Sequence, residues 1–432
     1  MWSGKKLNNY ASWLVFIVAL LVYYFSVERT GSLWDCGEFI LGAYKMQVVH
    51  PPGAPLFVLI GSIFAHLGDL LSDDPADIAF AVNLMSGVFS ALAAMMTAKV
   101  TMILSRLMMV GRENKADITQ NMVISGAGIV GGLATAFATS IWFSAVEGEV
   151  YAMSTFFTTL TVWAAIKFYA LPDSKDADRW LIFSLFSVGL SIGVHLLSAL
   201  AFPVITLLYY YKKYKKHTYW GIFTSLLIGV VMMGFTLKIV IAGIPWLWTK
   251  FELFMVNSLG APFHTGLIPT LLVVFGIGFL GIWYAEKKKS YLLHLITLGA
   301  IVITTGFSTI GVVVIRANAD TPVNMNVPND AFRLLPYINR EQYGERPFIY
   351  GPYFDSKPVS YDKEDRYGRV GDKYEIVDEK ITPVYDKSDN MLFPRLGSAD
   401  NGRPALYRAW LNKRSGKPVS YTHLTLPTIY SV

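Results

Sequence analysis

One cysteine, Cys36, stands among 432 residues. That excludes an intrachain disulfide and any zinc site built on several thiolates. Between Asp35 and Glu38 it reads either as a reactive thiol or as a small packing residue, and packing is the expectation. Charge is scarce too: Asp, Glu, Lys and Arg make up 16% of the chain, against roughly a quarter in a soluble domain. The sequence has no GxxxxGK[ST] phosphate loop and no HExxH zinc helix, which removes two common routes to phosphate and metal chemistry. The "GIVGGLA" at 128–134 lies inside an apolar run, where close helix packing explains it better than phosphate binding. No repeat recurs at periods of 20 to 50 residues. No small-residue cleavage site follows the apolar run 10–27, so Lys5, Lys6 and that run read as an uncleaved anchor.

What the chain has instead is apolar length. Hydrophobic residues reach 53%, and several runs approach or exceed the roughly 20 residues that cross a bilayer. The expected fold is an all-α polytopic membrane protein with the lipid bilayer as a partner. Nine spans are expected, at 10–27, 79–105, 121–143, 151–171, 180–196, 197–211, 219–243, 267–285 and 291–315. They place four basic clusters on one side: Lys5 and Lys6; Arg106, Arg112 and Lys115; Lys212, Lys213, Lys215 and Lys216; and Lys287 to Lys289. The Asp35 loop, the "DDPAD" at 73–77 and the "EGE" at 147–149 fall on the other side. The net charge of +6 is thereby explained without a nucleic-acid partner. The apolar stretch 54–71 starts beside prolines and contains His66 and Asp69, so it is expected to lie in the outer interface. A competing topology lets 54–71 cross and fuses 180–211 into one helix, at the cost of exporting Arg106, Arg112 and Lys115.

Three domains are expected: a transmembrane domain over 1–315, a polar outer segment over 316–418 with one helical pattern near 329–340, and a non-native tail over 419–432. The tail contains "VSYTHLTLPT" (419–428), which GTC TCT TAT ACA CAT CTG ACG CTG CCG ACG would encode. That string resembles a transposase adapter, so the tail reads as read-through, with the native protein expected to continue.

Chemistry is sought first in "SLWDCGEFILGAYKMQVVHPPGAPLF" (32–57). If the segment is helical, Asp35 and Glu38 share one face. Two adjacent, partly desolvated carboxylates repel, which raises one of them toward a general base's working range. Trp34 and Phe39 flank them in a manner that suits the membrane–water interface. The "HPPGAP" backbone is rigid enough to fix where the acids point, and His50 is a ligand, a proton carrier or a turn residue. Glu147, Glu149 and Tyr151 in "WFSAVEGEVYAMSTFF" and His195 in "GLSIGVHLLSALAFP" are further candidates on the same side.

The order of "WDCGEFI", "HPPGAPLF", "EGEVYAMSTFF", "GLSIGVHLLSALAFP" and "IRANADTPVNMNVPNDAFRLLPYINREQYG" resembles a bacterial family of unknown function. That family is related to protein O-mannosyltransferases, within the GT-C glycosyltransferases. The resemblance implies a GT-C-like helical bundle in the bacterial inner membrane, with its active site facing the periplasm. It also implies an inverting transfer of a sugar, mannose by analogy, from a polyprenyl phosphate to Ser or Thr hydroxyls of exported proteins. Alternatives are a lipid or surface glycan as acceptor, a transporter using Glu147, Glu149 and His195 as a proton relay, or a scaffold. Carried over residue by residue, Asp35 becomes the base, with Glu38 assisting; the separation of the two acids by Cys36 and Gly37 leaves open which one acts. His50, Glu147, Glu149, Tyr151 and His195 would line the substrate site, and Arg316 would meet the donor phosphate. No metal and no cofactor is implied, since the lipid-linked sugar is itself a substrate.

Overall fold

The computed structural model describes residues 4–71, 74–112, 114–344, 347, 349–353, 356–392, 394, 405–406 and 409. The tail assigned to 419–432, and most of 393–418, lie outside them. The chain forms two compact units, Met1–Phe254 with His264–Asn339, and Met255–Phe263 with Arg340–Val432.

The first unit is helical. In chain order it holds α1 (Gly4–Ser26), α2 (Cys36–Lys45), α3 (Pro55–Leu71), α4 (Pro75–Met109), α5 (Ile118–Ala136), α6 (Thr139–Ala145), α7 (Val150–Ala170), α8 (Lys175–Ile192), α9 (Phe202–Lys213), α10 (Tyr219–Phe235), α11 (Ile244–Leu253), α12 (Leu267–Lys287), α13 (Tyr291–Phe307), α14 (Gly311–Ala317) and α15 (Ala331–Ile338). Their starts follow local chemistry. Asp74 caps α4 ahead of Pro75, Asp117 and Gln120 form a capping box on α5, and Ser174 caps α8. Among the described residues five helices are long and apolar enough to cross a bilayer, six if the bent pair α5–α6 is one span. Nine spans were expected; the runs at 151–171, 180–196 and 197–211 lie mostly on helices but are not among these five or six, and others depart in detail. The run at 121–143 breaks by 65° between α5 and α6. The run at 219–243 continues without interruption to Ser258. The run at 197–211 begins with a 3-10 turn, Leu196–Ala201. Helix α3, at 17 residues, falls short of a full crossing.

The two ends of this bundle differ in charge. At one end Lys212 donates to the carbonyls of Phe168 and Leu171 at 2.6 Å, Lys213 pairs with Asp173, and Arg112 lies 4.0 Å from the Tyr169 ring. The Tyr291 hydroxyl donates to Asp178 at 2.7 Å there. The opposite end carries the first loop, the start of α4, the α6–α7 turn and the α8–α9 turn. The helices between pack through small residues. A Cβ on Gly132 would meet Ala98 at 2.9 Å, and one on Gly189 would meet the Ile303 carbonyl at 2.5 Å. The "GIVGGLA" segment is thus a packing surface against α4, as expected.

Composition changes at residue 316, yet the first unit runs on to Asn339. The reason is a set of bonds from this segment back to residues 45–53. Arg316 donates to the carbonyls of Met46 and Lys45 at 2.6 and 3.1 Å. Val48 pairs in parallel with Asn324, and the Val323 N–H donates to Gln47 Oε1 at 2.9 Å. The Tyr337 hydroxyl donates to the Val49 carbonyl.

The second unit adds strands that the sequence analysis did not foresee. β1 (Tyr350–Pro352), β2 (Pro358–Val370), β3 (Lys373–Tyr385) and β4 (Asn390–Leu392) form two antiparallel pairs, β1 with β4 and β2 with β3. The β2–β3 hairpin closes on Gly371 and Asp372, and Gly371 takes φ 58°, a value glycine adopts without strain. The Asn257 amide pairs with both backbone groups of Tyr374, at 2.7 and 2.9 Å.

Candidate active site

The site begins with a helix cap that does not cap. Asp35 opens α2, where an aspartate normally accepts from the helix N–H groups, but its carboxylate makes no such bond and its side chain is 59% exposed. One turn on, Glu38 is fully committed. Its Oε1 accepts the His50 backbone N–H at 2.6 Å, and its Oε2 lies 2.9 Å from His50 Nδ1. Burial alone would raise the Glu38 carboxyl; the hydrogen bonds and charge of His50 outweigh it and hold the carboxyl below its usual range. The other ring nitrogen, Nε2, stands 3.9 Å from Asp35 Oδ2.

The prolines act on this pair through His50. The Gly53 N–H donates to the His50 carbonyl at 2.8 Å, closing a turn around Pro51 and Pro52, whose peptide bond is cis. Gly53 takes φ 73°, and a Cβ there would sit 2.8 Å from the Tyr337 hydroxyl. Phe39, expected at an interface, is instead buried, its ring 5.4 Å from His50 and 5.1 Å from Phe57. Trp34 is the outward aromatic, 87% exposed on a left-handed backbone of φ 65°.

The "EGE" turn closes over the same loop. Ser32 Oγ donates to Glu147 Oε2, and the Glu28 N–H donates to the Val146 carbonyl at 3.0 Å. Glu147 and Glu149 are both buried. Burial, reinforced by the negative charges of Asp35 and Glu147, pushes the Glu149 carboxyl up to about 7, against a hydrogen bond from the Val150 N–H and the charge of His50. Four carboxylates thus share one end of the bundle with one imidazole. Gly148 separates the glutamates because a Cβ there would press on Asn83 Oδ1 at 2.9 Å.

Asn83 is the residue that sequence reasoning missed. Fully buried in α4, it donates to the carbonyls of Glu28 and Thr30 at 2.8 and 3.0 Å and accepts from Cys36 Sγ at 3.6 Å. It is a positioning residue that pins the first loop under Asp35, and Cys36 is the buried packing residue expected. Its signal was available, as an amide inside the apolar "AFAVNLMSG".

The remaining candidates divide. Tyr151 and His195 stand together, ring centroids 5.5 Å apart, with His195 Nδ1 accepting the Leu197 N–H at 3.2 Å. Arg316 is at the far end of α2 from Asp35, roughly 15 Å along the helix at 1.5 Å per residue, and its guanidinium bonds that end's carbonyls. Asp35, Glu38 and His50 offer ligand atoms within 4.8 Å of one another, a geometry open to a cation. Each Glu38 oxygen also takes one contact from His50, so the trio is arranged as a carboxylate–imidazole pair beside a second carboxylate.

Comparison with known proteins covers this same region. Residues 35–218 match the model of the Protein O-mannosyl-transferase TMEM260 N-terminal domain. This region is related to the TMEM260 mannosyltransferases. Protein O-mannosyl-transferase TMEM260 of Mus musculus is 26% identical over 191 residues, 44% of this chain and 24% of the relative. The Dictyostelium discoideum protein of that name is 24% identical over 153 residues, 35% of this chain and 16% of its own. The chain therefore spans a quarter or less of the curated relatives it matches. Residues 344–430 match a family of unknown function, DUF8416. No solved structure matches. The TMEM260-related region starts at Asp35 and takes in Glu38, His50, Asn83, Glu147, Glu149, Tyr151 and His195.

Glu149 gives this site a pH signature. A carboxyl raised from 4.5 to about 7 on folding favours the protonated folded state. Its stabilising contribution is complete below pH 4.5 and disappears as pH rises through about 7. Thermal unfolding of the wild type should therefore shift downward across that window, and Glu149→Gln, which copies the neutral acid, should flatten the shift. An unchanged pH dependence in Glu149→Gln would rule out this assignment.

Proposed function

We propose that this chain is the membrane-embedded part of an inverting glycosyltransferase of the GT-C type. It moves a sugar, mannose by analogy with the relatives, from a polyprenyl phosphate to Ser or Thr hydroxyls of exported proteins, at the periplasmic face of a bacterial inner membrane. The observation that carries this reading is an uncapped, exposed carboxylate at Asp35 inside the region that matches the TMEM260 N-terminal domain.

In this reading Asp35 accepts the acceptor hydroxyl proton as the oxygen attacks the anomeric carbon. The bond from that carbon to the phosphate oxygen breaks, and the polyprenyl phosphate departs with the electron pair. One displacement inverts the anomeric centre. The Glu38–His50 pair sets the orientation of α2 and presents Nε2 toward Asp35, so His50 positions the base. Glu147 holds Ser32 in the first loop, and Glu149, near neutrality, adjusts the charge around Asp35. Tyr151 and His195 supply an aromatic wall for the acceptor. Arg316 fixes the opposite end of α2.

The test uses the full-length protein in membrane vesicles, with polyprenyl-phosphate mannose and either a Ser/Thr peptide or a glycolipid. Peptide mannosylation is the expected result. Transfer to the glycolipid alone would replace the acceptor in this reading, and transfer to neither with any donor would overturn it. With both Glu38 oxygens engaged, EDTA should leave the rate unchanged. Loss of activity restored by a divalent cation would instead make the trio a metal site.

A further inference from the structure

Three lysines at the basic end of the bundle stand together without an acid. Lys5, Lys99 and Lys167 belong to α1, α4 and α7, whose other ends carry the first loop, the start of α4 and the α6–α7 turn. Counted from those other ends, at Ser26, Pro75 and Val150, they lie about 32, 36 and 26 Å along their helices at 1.5 Å per residue. All three thus come near the far border of a ~30 Å hydrocarbon core, where lipid headgroups begin. Lys99 is inside the span Pro75–Met109, about 10 Å deeper than the loop cation Arg106 on the same helix.

Lys99 and Lys167 are half-buried and meet one indole. The Lys99 Nζ is 5.6 Å and the Lys167 Nζ 4.9 Å from the centre of the Trp163 ring, and Lys167 is also 3.5 Å from the Trp180 ring. The two indoles pack edge to face at 5.1 Å. The charges that act on Lys167 are those of Lys99 and Lys5, both positive. The acids of this end are occupied elsewhere. Asp173 and Asp178 pair with Lys213, Asp176 pairs with Arg179, and Asp117 caps α5. A lysine in the last turn of a helix commonly serves the terminal carbonyls, but those of Phe168 and Leu171 are taken by Lys212.

Ammonium groups half-buried at membrane depth are unfavourable without a counter-charge. Contact with two aromatic faces offsets part of this and leaves the net positive charge in place. Two such groups over one ring, with a third cation adding to the field, call for an anion that reaches them from the bilayer. The attraction of lysines at a membrane surface for anionic lipid supplies one.

We infer that Lys99, Lys167, Trp163 and Trp180 form a binding site for the phosphate of an anionic phospholipid in the leaflet at the basic end, with Lys5 strengthening its field. The phosphate oxygens accept from the ammonium groups, and the indoles pack along the glycerol and upper acyl chain, as tryptophans at headgroup level do. The site is at the opposite end of the bundle from Asp35, so it stands apart from the transfer reading.

The test is binding of phosphatidylglycerol to the full-length protein in dodecyl maltoside, read by native mass spectrometry, with phosphatidylcholine as the zwitterionic comparison. Wild type should hold phosphatidylglycerol about tenfold or more tightly than phosphatidylcholine, the size of one charge-assisted contact. The double variant Lys99→Gln/Lys167→Gln should lose that preference while keeping its phosphatidylcholine binding, which controls for folding. Arg106→Gln removes a cation bonded to the Asn114 carbonyl and should leave the preference intact. Equal affinity of the wild type for the two lipids would overturn the inference without any variant. A preference that survives in the double variant would overturn it as well. So would an equal loss in Arg106→Gln, which would leave only the general attraction of a basic surface.

Discussion

Replacing Asp35 by Asn is expected to cut transfer by about a hundred- to ten-thousand-fold, the range for removal of a positioned general base. The substitution preserves shape, and the side chain caps no helix and is more than half exposed, so folding should be untouched. The loss should fall on kcat with little change in the donor KM, because the carboxylate acts on the acceptor proton in the transition state. Glu38→Gln should be milder on the chemical step. It weakens the hold on His50 and disturbs Asp35 only through it. Initial rates for the two variants at saturating donor decide the assignment. If Asp35→Asn stays active while Glu149→Gln fails, the base is Glu149, and the neutral-range carboxyl becomes the centre of the mechanism.

The second large effect is expected at a residue with no chemistry of its own. Asn83→Leu keeps the branched shape, with a larger volume, but removes the donor from the carbonyls of Glu28 and Thr30. Two acceptors left without a partner in a buried place cost roughly 3 kcal/mol together. The variant should melt well below the wild type in the same detergent, and its transfer rate should drop because the loop under Asp35 is no longer pinned. Equal melting temperatures would show that water replaces the amide and that the loop holds itself.

Much of the helical layout was legible because lipid exposure demands long apolar runs, and these leave a plain trace in a sequence. The 267–285 and 291–315 runs appear as Leu267–Lys287 and Tyr291–Ala317. What periodicity cannot see is a change within an apolar run. The 65° break before Thr139 and the π segment at Thr236–Gly243 fall inside runs that stay apolar on average, although Lys238 and the nearby Pro245 mark the second one. The site was read in part. Asp35 and Glu38 were singled out as a pair of acids, and the structure gives them different surroundings, because His50, twelve positions on from Glu38, hydrogen-bonds Glu38 and stands 3.9 Å from Asp35. The prolines were expected to aim the carboxylates directly, whereas they shape the turn that carries His50. Arg316 looked like a free cation at the end of a span. Its carbonyl partners lie about 270 residues earlier in the chain, a distance no local pattern spans. The strands at 358–385 were hidden by their polarity: with most side chains exposed, they lack the alternation that marks a half-buried strand.

The bonds from 316–339 to the His50 turn also set an order in time. Tyr337 reaches the Val49 carbonyl across 288 residues, so the acids can be synthesised, threaded into the bilayer and folded against their neighbours long before the turn that holds His50 is complete. During that interval the ribosome is still extending the chain, and the cluster lacks its clamp. Until residues 316–339 are made, the turn lacks the Arg316 and Tyr337 bonds that join it to the rest of the first unit.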